Sequence, residues 1–252
     1  MDDRELIKAM LTDADKRAFE RNIPISTAFL SMDEQNIYFG LSQMFKSRLH
    51  FLDGGHEDPD RAAAFFLPDY ADRGFETAES IKAVRVTPLN ERFAEDLSHR
   101  DYLGALMNLG IERDTIGDIL TGEKECYIFA LSSIAEVIVN ELSRVRHTSV
   151  ACEIADRASV NIKPKFEELS VNVASERVDA VIAAVYKISR QRAAQLIDTD
   201  NVVISGRQSV NSAKNLKEGD RVSVRGFGKF IYGGVNGSSR RGRLYVDIRK
   251  FA

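Results

Sequence analysis

Cysteine is scarce: Cys126 and Cys152 are the two in 252 residues. Two cannot make a disulfide framework, and their spacing fits no zinc pattern, so a reducing compartment is expected. Long apolar runs are missing too, and no stretch approaches the ~18 residues a membrane span needs. The opening residues Met1-Asp2-Asp3-Arg4-Glu5 lack the basic start and apolar stretch of a secretory signal. A cytoplasmic protein with no membrane partner is expected. Neither a glycine-rich phosphate loop nor a metal-ligand set occurs. The expectation is therefore no catalytic residue, no metal, no small-molecule cofactor, and no enzymatic role.

What is present is an uneven charge. The chain is 44% hydrophobic and 29% charged, an ordinary soluble balance with room for two or three compact units. Its net charge is -3, yet residues 170–252 carry 15 Lys and Arg against 7 Asp and Glu, a net of +8. The remainder carries a net of -11. Such a split points to a polyanion meeting the C-terminal third, although a solvated basic surface would have the same composition.

Apolar spacing divides the chain into three parts and predicts an α+β protein. Residues 1–78 read as a small α/β unit. A helix over residues 2–22 carries Leu6, Ile7, Met10, Leu11 and Phe19, and a second starts near Asp33. A strand over 48–52 ends at Asp53-Gly54-Gly55, and a short helix follows between Pro59 and Pro68. Residues 79–160 read βαββαβ: a strand over 81–86, a helix over 90–109, a hairpin turning at Thr121-Gly122-Glu123-Lys124, a helix with Ile134, Val137, Ile138 and Leu142 capped by Ser132 or Ser133, and a strand over 148–154. That order predicts a ferredoxin-like, RRM-like sheet. Its strand order would set the cysteine-bearing strands on either side of the first strand, about two spacings or ~9–10 Å apart. That is too far for a disulfide, so both are expected as free, buried thiols. Sheets of this kind bind single-stranded RNA through aromatics on an open face. Tyr127 and Phe129 are the candidates, but the glycine- and aromatic-rich signature is missing, which favours packing.

Residues 161–169 read as a linker into the third part, 166–252. There Ser175 is expected to cap a helix with Val178, Val181, Ile182 and Val185 inward. Ser189 is expected to cap a second helix with Ala193, Leu196 and Ile197 inward. Short strands follow around Val202-Val203-Ile204, Arg207 and Arg221. This order of Arg177-Val178-Asp179, Ser189-Arg190-Gln191-Arg192-Ala193, Leu196-Ile197, Gly206 and Gly219-Asp220-Arg221-Val222 resembles the αL RNA-binding motif named for small-subunit ribosomal protein four. The motif also occurs in pseudouridine synthases and tyrosyl-tRNA synthetases. Two positions differ: Asp200-Asn201 stands where a glycine is usual, and Ile204-Ser205-Gly206 where Val-Asn-Gly is. The second change is expected to weaken a polar contact at the turn without disturbing the fold.

The resemblance implies an RNA-binding role for Arg177, Ser189, Arg190, Arg192, Arg207 and Lys214. Arg190 and Arg192 begin a helix whose N–H groups and dipole favour phosphate, and guanidinium forks match phosphate oxygens. Arg177 has a second reading, as a structural partner of Asp179. The basic track continues through Arg225 and Lys229 to a hairpin whose tip carries Arg240, Arg241 and Arg243.

The rest of the chain resembles the YlmH family of bacteria and its plastid relatives. The residues concerned are His99-Arg100-Asp101-Tyr102-Leu103-Gly104, Leu109-Gly110-Ile111, Ile116-Gly117-Asp118-Ile119, Phe29-Leu30, and Gly54-Gly55-His56-Glu57 before Arg61. That resemblance implies structured RNA (rRNA and tRNA) and the large ribosomal subunit as partners, and a role in ribosome-associated quality control on stalled subunits carrying peptidyl-tRNA. Other readings are an accessory of an RNA-modifying enzyme and an adaptor in cell division, suggested by the family's gene neighbourhood. His99, Arg100 and Asp101 are expected mid-helix. Adjacent helical residues do not face one another, so the three read as a structural or RNA-contact cluster.

Overall fold

A computed structural model describes residues 3–57, 59–71, 75–162, 166–199, 201–205, 207–208 (backbone only), 211–240 and 242–251. The architecture is α+β, and the chain divides into two compact units, Met1–Ile162 and Lys163–Ala252.

The first unit runs α1 (Asp3–Arg21), β1 (Ile25–Leu30), α2 (Met32–Leu41), β2 (Leu49–Asp53), β3 (Ala62–Leu67), β4 (Ile81–Pro88), α3 (His99–Asn108), β5 (Ile116–Thr121), β6 (Cys126–Leu131), α4 (Ser132–Glu141), β7 (Arg144–Val145) and β8 (Thr148–Ala155). It holds two antiparallel sheets, one ordered β1-β3-β2 and the other β5-β6-β4-β8-β7.

The smaller sheet is covered on both faces. Ala64 and Phe66 of β3 join Leu11, Ala14 and Ala18 of α1 and Tyr38 of α2. Ala63 and Phe65 point the other way and meet Ile81, Ala83, Tyr127 and Phe129 of the larger sheet. The opposite face of that larger sheet packs Val84, Val86 and Ile128 against Tyr102, Leu106, Ala135 and Ile138 of α3 and α4. The layers are therefore helices, sheet, sheet, helices.

Several sequence expectations change here. The segment between Pro59 and Pro68 is strand β3, not a helix. All six of its residues are buried, so the alternation that marks a half-exposed strand is missing, and three consecutive alanines favour a helical reading. The helix expected over 90–109 is α3, beginning at His99 after a 3-10 turn at Glu91–Phe93. Asp101 accepts hydrogen bonds from the Ser98 backbone N–H (2.8 Å) and hydroxyl (2.6 Å), so His99-Arg100-Asp101 is a capped first turn rather than mid-helix. Leu131 occupies the N-cap of α4, without a side-chain cap from Ser132 or Ser133. Along α1, Ile7, Leu11, Ala14 and Ala18 face the core while Leu6 and Phe19 stay about half exposed. Buried Asp15 accepts the backbone N–H groups of Lys46 and Ser47, both at 2.8 Å.

Cys126 and Cys152 both lie opposite Val86, one on each side of β4, and both are free. Cys126 is buried as expected, with its thiol pushed well up by burial. Cys152 is half-buried rather than fully buried, its thiol raised to about 11 by partial burial.

The second unit runs β9 (Phe166–Val173), α5 (Val178–Tyr186), α6 (Arg190–Asp198), β10 (Val202–Ile204), β11 (Arg207–Gln208), β12 (Arg221–Val224), β13 (Gly228–Ser238) and β14 (Leu244–Phe251). Its six-stranded antiparallel sheet is ordered β11-β10-β12-β13-β14-β9. Val178, Val181, Ile182 and Val185 of α5 and Ala193, Leu196 and Ile197 of α6 pack on Val222, Val224, Phe230, Tyr232, Val246 and Ile248. The linker expected over 161–169 is in part strand β9, which pairs with β14 over its whole length. Arg177, not Ser175, takes the N-cap of α5, and no side chain caps it. Ser189 caps α6 as expected, accepting the Arg192 N–H at 3.1 Å.

Candidate nucleic-acid interface

The basic face of the second unit is built around one buried carboxylate. Asp179 lies in the first turn of α5 with its side chain 7% exposed. Arg177 donates to both of its oxygens, from Nε and Nη2, each at 3.1 Å. Arg190, at the start of α6, donates to Oδ2 at 2.8 Å. Burial opposes ionisation of Asp179, but the hydrogen bonds and charges of Arg190 and Arg177 prevail and hold its carboxyl below the usual range. Both arginines remain partly exposed, at 38% and 51% of their side chains. The carboxylate fixes two guanidinium groups near the surface, each with donors left over.

The two helix starts differ. The first N–H groups of α5 are occupied: Val178 N donates to the Lys214 carbonyl at 2.9 Å and Asp179 N to that of Ser212 at 3.4 Å. Lys214 therefore closes this helix end with its backbone and leaves its side chain exposed. At α6 the cap is the Ser189 hydroxyl, and Arg192 is exposed, donating from Nη1 to Gln195 of its own helix at 2.8 Å. An anion approaching this second helix end meets the positive pole of the dipole beside two guanidinium groups.

The other sequence-predicted positions are spread along the sheet. Arg225 is exposed in the turn between β12 and β13, its N–H donating to the Asn201 carbonyl at 2.9 Å. Lys229 sits 5.2 Å from the Phe251 ring centroid. Arg207 lies on β11, its side chain outside the described residues, as is Arg241. The C-terminal hairpin forms as expected from β13 and β14. Its tip is a hydrogen-bonded turn in which Ser239 N donates to the Arg243 carbonyl at 2.7 Å. Arg240 is exposed there. Arg243 turns back to Asn172 of β9, donating to its side-chain oxygen and, at 2.8 Å, to its carbonyl. The tip therefore does not present three equivalent arginines.

Tyr127 and Phe129 do not form an open stacking face. They are 6% and 0% exposed beneath the smaller sheet. A polar junction secures that cover: Asp118 accepts from the backbone N–H groups of Asp60 (2.6 Å) and Arg61 (3.2 Å) and pairs with His56 Nε2 at 3.0 Å. Arg157 ties Asp53, Thr77 and the Gly55 carbonyl together nearby. The pairing of Arg177 with Asp179, its second reading in the sequence, is present, and what the sequence reading missed is that Arg190 shares the same carboxylate. The signal is the spacing Arg177-x-Asp179 at a helix start, with a second arginine arriving at the next helix cap.

Comparison with known proteins agrees with this picture. Residues 80–159 match the family model described as "Putative RNA-binding domain in YlmH". The ribosome-associated protein quality control protein P2 of Bacillus subtilis (strain 168) is 27% identical over 228 residues, covering 89% of this chain and 86% of that protein. A solved structure of the cell division protein ylmH from Streptococcus pneumoniae superposes with a TM-score of 0.51 at 20% identity, over 64% of this chain and 96% of that one, a likeness of fold. With that family model matching at 80–159 and a relative matching along nearly its whole length, the chain is similar to the YlmH RNA-binding proteins.

Proposed function

We propose that the chain binds structured RNA on the ribosome without catalysing a reaction, and that it acts on stalled large subunits still carrying peptidyl-tRNA. The observation that carries the reading is the pair Arg177 and Arg190 braced on buried Asp179, beside Arg192 at the open start of α6. The name of the Bacillus subtilis relative supports the ribosomal setting. In this reading the chain has three functional parts, at 1–78, 79–160 and 166–252. The middle part is ferredoxin-like, supported by its βαββαβ order and by the sheet order β5-β6-β4-β8. The last is an αL domain whose RNA contacts are Arg177, Ser189, Arg190, Arg192, Arg207, Lys214, Arg225, Lys229, Arg240, Arg241 and Arg243.

The test is sedimentation of ribosomal subunits with the full chain at increasing salt. Wild type should travel with large subunits and be released steeply as salt rises, with about one counterion per phosphate contact. Arg190→Ala with Arg192→Ala should abolish most of the association. Association that ignores salt and survives the double substitution would refute the reading.

A further inference from the structure

The family's RNA-binding domain is left without the surface that sheets of its type use for RNA. Its aromatic face is buried under β1 and β3, with Phe129 fully enclosed. The part of that face left open carries Arg85 held between Glu125 and Glu153, so the uncommitted basic side chains lie on the helical side or at the sheet's edges. Lys82 pairs with Glu79, Arg85 with Glu125 and Glu153, Lys124 with Asp96, and Arg157 with Asp53. Arg113 donates to the carbonyls of Ile116 and Gly117, and Arg92 stacks on Phe93. Two arginines remain, Arg100 and Arg144, whose side chains make no hydrogen bond or ion pair among the described residues. Both line the same groove.

That groove, about 460 Å³, lies between α3 and the segment from the end of α4 to the β7–β8 turn. Arg146 joins it from the turn, loosely paired with Asp101 at 3.6 Å. Arg146 holds a left-handed backbone (φ 52°), a conformation unfavourable for a non-glycine residue. Two carboxylates share the groove. Asp101 is already committed to the Ser98 cap, and Glu141 is exposed. On α3 the exposed line is Arg100, Gly104, Asn108, one turn apart, and nothing lies within 4 Å of where a Gly104 side chain would start. A bulky polyanion can thus approach the helix backbone between the arginines. No aromatic residue lines the groove, so it cannot stack unpaired bases.

We propose that this groove binds the phosphate backbone of duplex RNA, with Arg100, Arg144 and Arg146 as the contacts. Duplex RNA is recognised by shape, phosphates and 2′-hydroxyls, and needs no stacking platform. The proposal rests on the RNA-binding reading above and places a second contact surface on the first unit.

The experiment uses the full chain, a fluorescein-labelled RNA hairpin with a long stem, and a labelled oligouridylate. Arg100→Glu with Arg144→Glu should weaken hairpin binding about tenfold or more and lower the salt slope by about two, one per lost contact. Oligouridylate affinity should change far less. Arg192→Ala, in the second unit, serves as the reference variant and should weaken binding of both RNAs. If the glutamate pair lowers the melting temperature, Arg100→Gln with Arg144→Gln decides instead, with a smaller loss of hairpin affinity expected. Wild type binding the hairpin while both pairs bind it equally well, with the same slope, would overturn the groove and leave the protein an RNA binder. Wild type binding neither RNA at low salt would overturn the RNA-binding reading and the groove with it. Loss of ribosome association at unchanged hairpin affinity would mean a protein partner for the groove and refute the proposal.

Discussion

The aromatic sheet face of the first unit, where the sequence favours packing, and the basic helix face of the second, where it favours RNA contact, are treated oppositely by the fold. Tyr127 and Phe129 sit where an RNA-stacking sheet would hold its aromatics, yet β1 and β3 cover them and Asp118 pins the cover with three contacts. Asp179 is buried more deeply than Asp118, but its partners Arg177 and Arg190 reach the surface. Where a carboxylate's partners are a histidine and the half-buried backbone leading into a neighbouring strand, it closes an interface. Where they are half-exposed guanidinium groups, it displays them.

The largest effect should come from the closed side. Phe129→Ala removes a fully buried ring between two sheets and should cost ~3–5 kcal/mol by denaturant unfolding of the first unit. If Phe129 instead stacked RNA bases, the variant would keep its stability and lose RNA affinity, and the contrast between the faces would fall.

Asp179→Asn comes next. It leaves two guanidinium groups facing a neutral amide and should cost ~2 kcal/mol, less than a fully buried pair because both arginines are partly solvated. RNA affinity should fall as well, although no positive charge is lost, because Arg177 and Arg190 are no longer held. The pH dependence has a definite sign. Asp179 has its folded-state pKa depressed, so its contribution is fully present above the unfolded value of about 3.9 and disappears as pH falls through the lower folded value. Acid unfolding of the asparagine variant should lack that component. Unchanged affinity together with an unchanged acid limb would show that Asp179 displays nothing.

Much of this was legible in the sequence. The inward residues of α5 and α6, the Ser189 cap and the flanking of β4 by the two cysteine strands follow from local spacing and strand order. Strand β3 was not legible, because burial on both faces erases alternation. Strand β9 was not either. Its partner β14 lies some eighty residues away, and no local pattern reports a pairing at that distance. The shelter over Phe129 is a tertiary fact of the same kind. In the basic module, charge and spacing identified the arginines, but the division of labour among them depends on Asp179.

That division can be measured. The sequence reads Arg190 and Arg192 alike, as phosphate contacts at a helix start, but the 2.8 Å bond to Asp179 gives Arg190 a structural role as well. Arg190→Ala should cost ~1 kcal/mol, since it removes a charge-assisted bond from a buried acceptor. Arg192→Ala breaks an exposed contact within its own helix and should stay within ~0.5 kcal/mol. Both should weaken RNA binding. Equal melting temperatures for the two variants would mean that the Asp179 brace does not distinguish them.

The smallest effect concerns the turn after β10, where serine replaces the motif's usual asparagine. Ser205 has a left-handed backbone at φ 48°, which asparagine tolerates better than serine. Serine keeps polar contacts at this turn. The Ser205 hydroxyl donates to Asp220 at 3.0 Å and accepts the Arg221 N–H at 3.3 Å, while Asp220 also accepts the Lys217 N–H at 2.8 Å. Ser205→Asn therefore exchanges backbone relief for rearrangement of an exposed hydrogen-bond pair. The first gain is a fraction of ~1 kcal/mol, and the second loss is small because water replaces an exposed partner. A net gain of up to ~0.5 kcal/mol is expected in chemical unfolding, with RNA affinity unchanged. Ser205→Val, β-branched at the same φ and lacking the hydroxyl, should lose ~1–2 kcal/mol. A stabilising valine, or an asparagine variant that loses more than ~1 kcal/mol, would show that the hydroxyl bridge to Asp220, rather than the backbone conformation, governs this turn.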